Sequence, residues 1–529
     1  MVPWRPEPAP FPVPVPDLEA EVCAVTKQAS VRSQTSLSSE LAPKLLRGVA
    51  LDSCLQCWGA HFSESASLEG YQLSRETECI NQFLSHDWKT PRWSKTLALL
   101  VFYNSVPAAV ATICVSSVTC GLLLSRRLPG GWPTASISTY STFLIFFCFG
   151  QRLRRLACCS VPMVFLDRLC IAQHDEELKR QGILGLAGFL LKSQKLLILW
   201  TPRTFTRVWC TFELAHFLRP GGDSKRVEIL PVAMMSLLIL TCAVNFIFWC
   251  FFHVWVYIEE LGSMGMDGFY IVALAGGILS PSLLLGMSIQ IHFGIQYMKD
   301  LENLEGQMKG FSIRQAECSC CDLNHVHPQT GVSILCDRSL VFKTLRRWYP
   351  AGPGDDHLDC FDSLVREQMR HFVVEGLGSG APPLRFMLAM MVVSPLGILP
   401  QYIHMGLDHI RVYPHVSAEW NFWQWIAQFA MVPLVTMFFF WLCNFGAWSG
   451  ARLSFSKWTS LLTVLILNFC LLGAFWLPMA VASFPKIPQK MLPVLAVMLS
   501  VLLGLYTRQY GCVSCGTLAQ RGLRLLRWR

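Results

Sequence analysis

The chain has 529 residues, of which 53% are hydrophobic and 15% are charged. This composition is not expected of a purely soluble protein, and its apolar and aromatic content excludes disorder over the whole length. The formal net charge is +9, but the basic residues lie mostly beside apolar runs, as membrane-flanking residues do, so no nucleic-acid partner is expected.

The N-terminal tail, residues 1–20, is rich in proline and lacks the apolar segment of a signal peptide. We interpret it as a disordered cytosolic tail. It precedes an N-terminal region, residues 21–96, whose last part belongs to the α/β domain described below.

Eight later windows are long and apolar enough to predict membrane-spanning helices, because a span needs about 20 mostly apolar residues. They are Leu97–Leu124, Leu128–Gly150, Ile229–Ile258, Gly268–Met298, Phe386–Leu407, Trp420–Ala451, Trp458–Pro485 and Met491–Thr507. The first two form a hairpin at 97–150, the next two occupy 229–298, and the last four occupy 386–507. The sequence thus predicts a polytopic α-helical membrane protein with about eight transmembrane helices in a lipid bilayer.

Basic residues indicate the orientation of these predicted spans. With both termini cytosolic, the outer loops hold only five of the 44 Lys and Arg residues. The remainder lie in the inner segments, including the loop 299–385 and the basic C-terminal tail 508–529. Both termini are therefore expected in the cytosol.

Two cytosolic segments, about 78–95 and 151–233, contain short apolar runs typical of β-strands. The runs are Cys79–Ser85, Val161–Leu166, Lys195–Trp200 and Val227–Val232, and the later ones alternate with the helix-like segments Glu176–Lys192 and Trp209–Leu218. This alternation predicts a parallel sheet. The expected α/β domain is assembled from two pieces that the membrane hairpin separates in sequence.

The segment Asn81–His86 resembles the first box of Toll/interleukin-1 receptor (TIR) domains. Within Ser193–Leu214, the motif Trp209-Cys210-x-x-Glu213-Leu214 after an apolar strand is similar to their strand-turn-helix pattern, and Ile229–Val232 looks like their last strand. The resemblance implies a flavodoxin-like parallel sheet and self-association with other TIR-like domains. Some members of the family cleave the nicotinamide-ribose bond of NAD.

The resemblance places the essential glutamate of the NAD-cleaving members at Glu213, where a carboxylate can stabilise an oxocarbenium-like ribosyl centre. His86, Asp87 and Asp167 follow strands at the edge where open parallel sheets bind ligands, so they are candidate cofactor-binding residues together with Trp209. The alternative for Trp209 and Glu213, which are four residues apart and share a helical face, is core packing of the tryptophan with a solvated carboxylate. The alternative for the other three is that they are turn or capping residues.

The loop 299–385 contains a second candidate site. Cys318, Cys320, Cys321, His325, His327 and Cys336 offer thiolate and imidazole ligands that suit one tetrahedral zinc ion. Because the spacing is not that of a standard zinc finger, a reduced Cys/His-rich loop is the alternative.

These observations favour a membrane-anchored TIR-like signalling or scaffold protein, with NAD hydrolysis as a candidate activity. The alternative is a channel or transporter that its cytosolic domain regulates.

Overall fold

The computed structural model describes residues 37, 41–63, 68–158, 161–219, 226–261, 268–326, 331, 333–349, 356–377 and 383–412. The predicted spans Trp420–Ala451, Trp458–Pro485 and Met491–Thr507 lie outside these residues, as do both predicted tails.

Six strands form one sheet. They are β1 (Arg47–Ala50), β2 (Ser74–Glu76), β3 (Ile80–His86), β4 (Met163–Phe165), β5 (Ser193–Trp200) and β6 (Val227–Pro231). The order across the sheet is β2-β1-β4-β3-β5-β6. Strands β4, β3, β5 and β6 are parallel, whereas β1 is antiparallel to both β2 and β4. The expectation of an all-parallel sheet is therefore wrong, because β1 and β2 add an antiparallel edge.

The helices lie between and after these strands. They are α1 (Leu51–Cys54), α2 (Leu68–Gln72), α3 (Arg92–Leu124), α4 (Gly131–Cys158), α5 (Asp167–Cys170), α6 (Glu176–Leu184), α7 (Leu186–Lys192), α8 (Val208–Leu218), α9 (Val232–Leu261), α10 (Gly268–Lys309), α11 (Ser319–Asp322), α12 (Asp337–Trp348), α13 (His357–Leu364), α14 (Arg370–Leu377), α15 (Leu384–Met391) and α16 (Val393–Val412). A π-helical turn, Val365–Met369, joins α13 to α14.

The middle of the sheet is its most buried part. The side chains from Leu196 to Trp200 of β5 are all buried, as are Phe83 and Leu84 of β3. Helix α7 packs on β3 and β5, α8 packs on β3, and α12 packs on α8. Burial on both faces explains why these strands are near-continuous apolar runs in the sequence.

Helices α3 and α4 form a long antiparallel hairpin between β3 and β4. Buried polar groups join the two helices: Asn104 Nδ2 donates to the Phe147 carbonyl oxygen at 2.8 Å, and Gln151 Nε2 donates to Asn104 Oδ1 at 2.8 Å. A Cβ atom on Gly150 would lie 3.1 Å from Asn104 Cγ, so glycine permits this close approach. The hairpin returns the chain so that β4 pairs with β3.

The expectation of eight transmembrane helices is wrong. Within the described ranges, only α3 is long and apolar enough to cross a membrane by length and composition, and 33% of its most apolar window is buried in the protein. A buried core helix passes the same test.

Three of the predicted windows differ from the helices in their bounds or composition. The window Phe386–Leu407 is divided between α15 and α16, which meet at Val392. The window Ile229–Ile258 begins inside β6. Helix α4 begins at Gly131, three residues after the start of the window Leu128–Gly150. The Ser and Thr residues of this helix lower its mean hydropathy.

The contact between β3 and β4 can be tested by truncating one ring. Phe83 stacks on Phe165 with ring centroids 4.4 Å apart, and both side chains are buried. Phe83→Ala should lower stability by about 3–5 kcal/mol, because it removes a large apolar side chain and leaves a cavity. The measurement is the melting temperature of the purified chain. The control is Phe149→Ala on α4, whose side chain is 52% exposed; equal losses in the two variants would contradict the buried pairing.

Candidate functional site

The carboxyl ends of β3, β4 and β5 meet at a topological switch point. From β3 the chain passes to β4 on one side and then to β5 on the other side of β3. Open sheets with parallel strands bind ligands in the crevice that such a reversal creates. His86 ends β3, Asp87 follows it, and Asp167 begins α5 just after β4. The structure thus brings three of the predicted site residues to this edge.

Asp87 lies at the centre of a group of cations. Its side chain is 2% exposed, 3.4 Å from Arg207 Nη1 and 3.7 Å from Arg203 Nε. The Thr90 hydroxyl donates to Asp87 Oδ2 at 3.3 Å, and Lys95 Nζ donates to the Asp87 backbone oxygen at 3.3 Å. A carboxylate this deeply buried needs such partners, because an unpaired buried charge is strongly destabilising.

His86 faces Asp167 across the same edge. His86 Nε2 lies 3.5 Å from Asp167 Oδ1, and neither ring nitrogen has a hydrogen-bond partner within the described part of the chain. Burial lowers the pKa of His86 despite the opposing effect of Asp167, so the imidazole is neutral at neutral pH. Burial by itself raises the pKa of Asp167, but contacts with His86, the Trp88 indole and the Arg168 backbone N–H lower it to about 2.

Trp88 supplies an aromatic surface beside these charges. Its indole N–H donates to Asp167 Oδ2 at 2.7 Å, yet the side chain is 44% exposed. The guanidinium carbons of Arg168 and Arg207 lie 4.8 and 5.7 Å from its ring centre. An exposed ring held next to cations can stack on a planar ligand and place its anionic groups near arginine.

Glu213 projects from α8 towards the end of β3. The residue is 9% exposed, and in the described structure neither Glu213 Oε2 nor the neighbouring Ser85 hydroxyl has a hydrogen-bond partner. Burial raises the pKa of Glu213 to about 8, and the Ser85 hydroxyl and the Arg207 charge only partly oppose this shift. The Cys210 thiol donates to the His86 backbone oxygen at 3.7 Å. The inner face of α8 therefore carries a largely neutral carboxyl group at neutral pH.

Trp209 lies apart from this group. Its indole N–H donates to Asp337 Oδ2 at 3.0 Å, at the start of α12. The structure therefore does not bring Trp209 together with His86, Asp87 and Asp167; it joins α8 to the Cys/His-rich loop instead.

Four of the predicted metal ligands converge in that loop. The ligand atoms of Cys320, Cys321, His325 and Cys336 all lie within 4.8 Å of one another. The Sγ atoms of Cys321 and Cys336 are 3.9 Å apart, close to the ~3.8 Å expected for two thiolates on one tetrahedral zinc ion. Cys318 forms a second group with Cys320 and Asp337. His327 lies outside the described residues.

A tight turn presents His325 to the thiols. Asn324 and His325 have left-handed backbone angles, with φ of 50° and 59°, a conformation that costs energy in residues other than glycine and is common at functional sites. The His325 backbone N–H donates to the Cys320 carbonyl oxygen at 2.8 Å. Burial, with Cys318 and Cys336 close by, raises the pKa of Cys321 to about 11.

The Cys/His-rich loop is bonded to the turn that carries Arg203 and Arg207. The Glu317 backbone N–H donates to the Thr206 carbonyl oxygen at 2.7 Å, and the Val208 N–H donates to the Glu317 carbonyl oxygen at 3.2 Å. The Glu317 carboxylate also accepts from Arg203 Nη2 at 2.6 Å. The loop therefore fixes the two arginines that surround Asp87.

Sequence reasoning missed Arg203, Lys95 and Glu317 as parts of this arrangement. Arg203 carried a usable signal, because it follows the buried strand β5 at the carboxyl edge of the sheet. Lys95 lies two residues before the predicted span Leu97–Leu124, and Glu317 directly precedes Cys318. Nothing local marks either residue as a neighbour of Asp87.

No family model, no curated protein and no solved structure matches this chain. The geometry of these two clusters is therefore the basis for the functional argument.

The burial of Glu213 predicts a pH-dependent stability. Because the folded pKa is about 8 and the ordinary value is 4.5, the contribution of Glu213 to stability is complete below about pH 4.5 and is lost as the pH rises through about 8. The loss is on the order of a few kcal/mol, since one pKa unit corresponds to about 1.4 kcal/mol.

Glu213→Gln should accordingly flatten the fall in melting temperature between about pH 5 and pH 9, because the amide does not titrate. Glu69→Gln, at an exposed position of α2, serves as the control and should leave that fall unchanged. Parallel curves for wild type and Glu213→Gln would show that the carboxyl group is not buried as described.

Proposed function

We propose that the chain is a membrane-anchored TIR-like signalling protein that hydrolyses NAD at the nicotinamide-ribose bond. One observation carries the proposal: the Glu213 carboxyl group is buried beside Ser85, near the carboxyl end of β3, where the strand order reverses. The same residue is the one that the resemblance to NAD-cleaving TIR domains selects.

The proposed reaction requires one carboxylate next to the ribose. The bond between C1′ and the nicotinamide nitrogen breaks, and its electron pair leaves with neutral nicotinamide. The ribosyl centre becomes oxocarbenium-like, and the Glu213 carboxylate stabilises this positive charge. Water then bonds to C1′, and its proton passes to the carboxylate and on to solvent.

The groups around Asp87 suit the rest of NAD. The exposed Trp88 ring offers a stacking surface for a base, and Arg203 and Arg207 offer guanidinium groups for the diphosphate. The arginines are paired with Asp87, so the diphosphate would compete with the Asp87 carboxylate for them. The pyridinium charge of NAD also favours the ionised form of Glu213 over the neutral form that burial favours.

The membrane part of the proposal rests on α3, which has the length and composition of a spanning helix. This helix begins at Arg92, six residues after His86. An anchored α3 would therefore hold the carboxyl edge of the sheet close to the bilayer surface. Self-association through the sheet domain remains a proposal that follows from the resemblance.

We further propose that Cys320, Cys321, His325 and Cys336 bind one zinc ion. Three thiolates and one imidazole form a common structural zinc set. Two observations support it: the spacing of the four ligand atoms, and His325 Nε2, which is buried and has no hydrogen-bond partner in the described part of the chain. Bound zinc would hold the loop that fixes Arg203 and Asp337.

The NAD proposal predicts that purified protein releases nicotinamide from NAD and that Glu213→Gln reduces this rate at least about a hundredfold, since the amide supplies no charge. The rate should rise with pH towards about 8, because only the ionised carboxyl group acts. Glu69→Gln is the matched control. Retained nicotinamide release in Glu213→Gln would remove Glu213 from the mechanism.

The zinc proposal predicts about one equivalent of zinc in protein purified without chelator, measured by elemental analysis. Cys321→Ser should lose the metal and lower the melting temperature, because the metal contributes directly to the folding of the loop. Cys360→Ser, at an exposed cysteine of α13, should retain both. Metal-free wild type with an unchanged melting temperature in Cys321→Ser would favour a reduced Cys/His-rich loop.

A further inference from the structure

Helix α3 exposes a stripe of apolar side chains along its later half. The stripe consists of Val106, Val110, Ile113 and Leu124. Their spacing places them on one helical face, because residues three, four or seven apart lie above one another. Exposed apolar side chains that recur along one face indicate that lipid or another protein covers it.

Helix α4 carries a second stripe on the returning half of the hairpin. Its exposed apolar residues are Ile137, Leu144, Ile145 and Phe149. Arg152 follows Phe149 by three residues, so it lies on the same face, and it is exposed as well. The stripe of α4 therefore ends at a charge.

Charged residues limit both ends of the two stripes. None occurs at residues 96–125 or 128–151. Arg126 and Arg127 lie at the turn between the two helices and are exposed, as Arg152 is at the other end. Basic residues that flank uncharged helical segments are typical of the borders of a membrane.

The stripe on α3 has the length of a bilayer core. From Val106 to Leu124 the helix rises about 27 Å, at about 1.5 Å per residue, and the hydrocarbon layer of a bilayer is about 30 Å thick. Leu99, Leu100 and Val101, by contrast, are buried in the core that includes the sheet. Only the later half of α3 therefore matches a membrane.

The sheet decides the path of the chain after α3. β3 precedes this helix, β4 follows α4, and the two strands pair in parallel. A bilayer cannot divide paired strands, so a chain that crosses through α3 must cross back before β4. The helix between them is α4, and the hydrogen bond from Gln151 to Asn104 places its last turns beside α3.

The hydroxyl groups of α4 are compatible with lipid, although they lower the mean hydropathy of the helix. Ser138 donates to the Thr134 carbonyl oxygen at 2.8 Å, and Thr139 donates to that of Ala135 at 2.9 Å. Thr142 donates to the Ser138 carbonyl oxygen at 2.7 Å. Because these donors are satisfied within their own helix, they need no water.

We propose that the α3–α4 hairpin crosses a lipid bilayer twice, with the two stripes against the hydrocarbon and the tip, residues 125–130, on the opposite side from the sheet. This inference rests on the membrane anchor of the proposed function and adds a second crossing, which composition does not reveal. Lipid fits these stripes better than a second copy of the chain does, because arginines limit the stripes at the spacing of a bilayer.

Two epitope tags in the full chain test the position of the tip. One is inserted between Pro129 and Gly130, and the control tag follows His174, an exposed residue before α6. Sealed microsomes are treated with protease, with and without detergent. We expect only one of the tags to be digested in sealed microsomes and both to be digested in detergent. The same result for both tags in sealed microsomes would place the tip and the sheet on one side and overturn the proposal.

A charge on the stripe separates contact with lipid from contact with water. Val110→Arg should lower the ratio of membrane-retained to released chain about tenfold or more in alkaline carbonate extraction, because arginine is strongly disfavoured at the bilayer centre. Leu68→Arg, at an exposed leucine of α2, should leave the ratio unchanged. Release of the wild-type chain by carbonate, or equal ratios for wild type and Val110→Arg, would contradict lipid contact. So would a wild-type oligomer that Val110→Arg converts to monomers, which would indicate that a second copy covers the stripes.

Nicotinamide release from NAD by the same membranes separates this inference from the proposed function. A carbonate-resistant chain with both tags on one side would leave the anchor and the NAD proposal intact and overturn only the second crossing. Unchanged nicotinamide release in Glu213→Gln would remove Glu213 from the mechanism without affecting the position of the tip.

Discussion

The parallel pairing of β3 with both β4 and β5 is the constraint on which the rest of the structure depends. β3 carries Phe83, Leu84 and Ser85 into the interior, and its register with β5 extends from Ile80 to His86. Because the pairing continues to the last residue of the strand, the backbone leaves the sheet with Asp87 already buried. The cations around Asp87 come from two different segments, the start of α3 and the turn after β5. The α3–α4 hairpin makes this possible, since it brings β4 back beside β3 after a long excursion.

The turn after β5 is held from outside the sheet as well as from within it. Glu317 bonds this turn through both its backbone and its carboxylate, and Asp337 bonds the first turn of α8 through Trp209. Glu317 directly precedes Cys318, and Asp337 directly follows Cys336, so the two ends of the Cys/His cluster are the points of attachment. The Asp337 backbone N–H also donates to Cys320 Sγ at 3.2 Å. A conformational change of the Cys/His cluster would therefore displace Arg203 and the helix that carries Glu213.

The sequence was most informative where a pattern has one physical cause. The strands predicted at Cys79–Ser85 and Lys195–Trp200 are confirmed with shifts of one or two residues at their ends, because buried strands need continuous apolar runs. β1 and β2 were not predicted, since four and three residues of mixed polarity carry no period. Hydropathy windows were less informative about where elements begin and end, because composition does not reveal that Phe386–Leu407 is divided at Val392 or that Ile229 belongs to a strand. The convergence of His86, Asp87 and Asp167 followed from strand ends, whereas Arg203 and Lys95 depend on tertiary contacts.

The motif that contains Trp209 and Glu213 shows why spacing alone does not assign roles. Four residues apart on one helix, the two side chains were expected to share a face. In the structure the Trp209 indole donates to Asp337 at the start of α12, whereas the Glu213 carboxyl group lies near Ser85 of β3. The two side chains leave one helical face, and they reach different partners: the tryptophan bonds the Cys/His-rich loop, and the glutamate lies beside the sheet. A helix clamped in this way keeps a carboxyl group in a dry environment, where its charge depends on what occupies the crevice. Such a group is poised to ionise against a positive charge and to stay neutral without one.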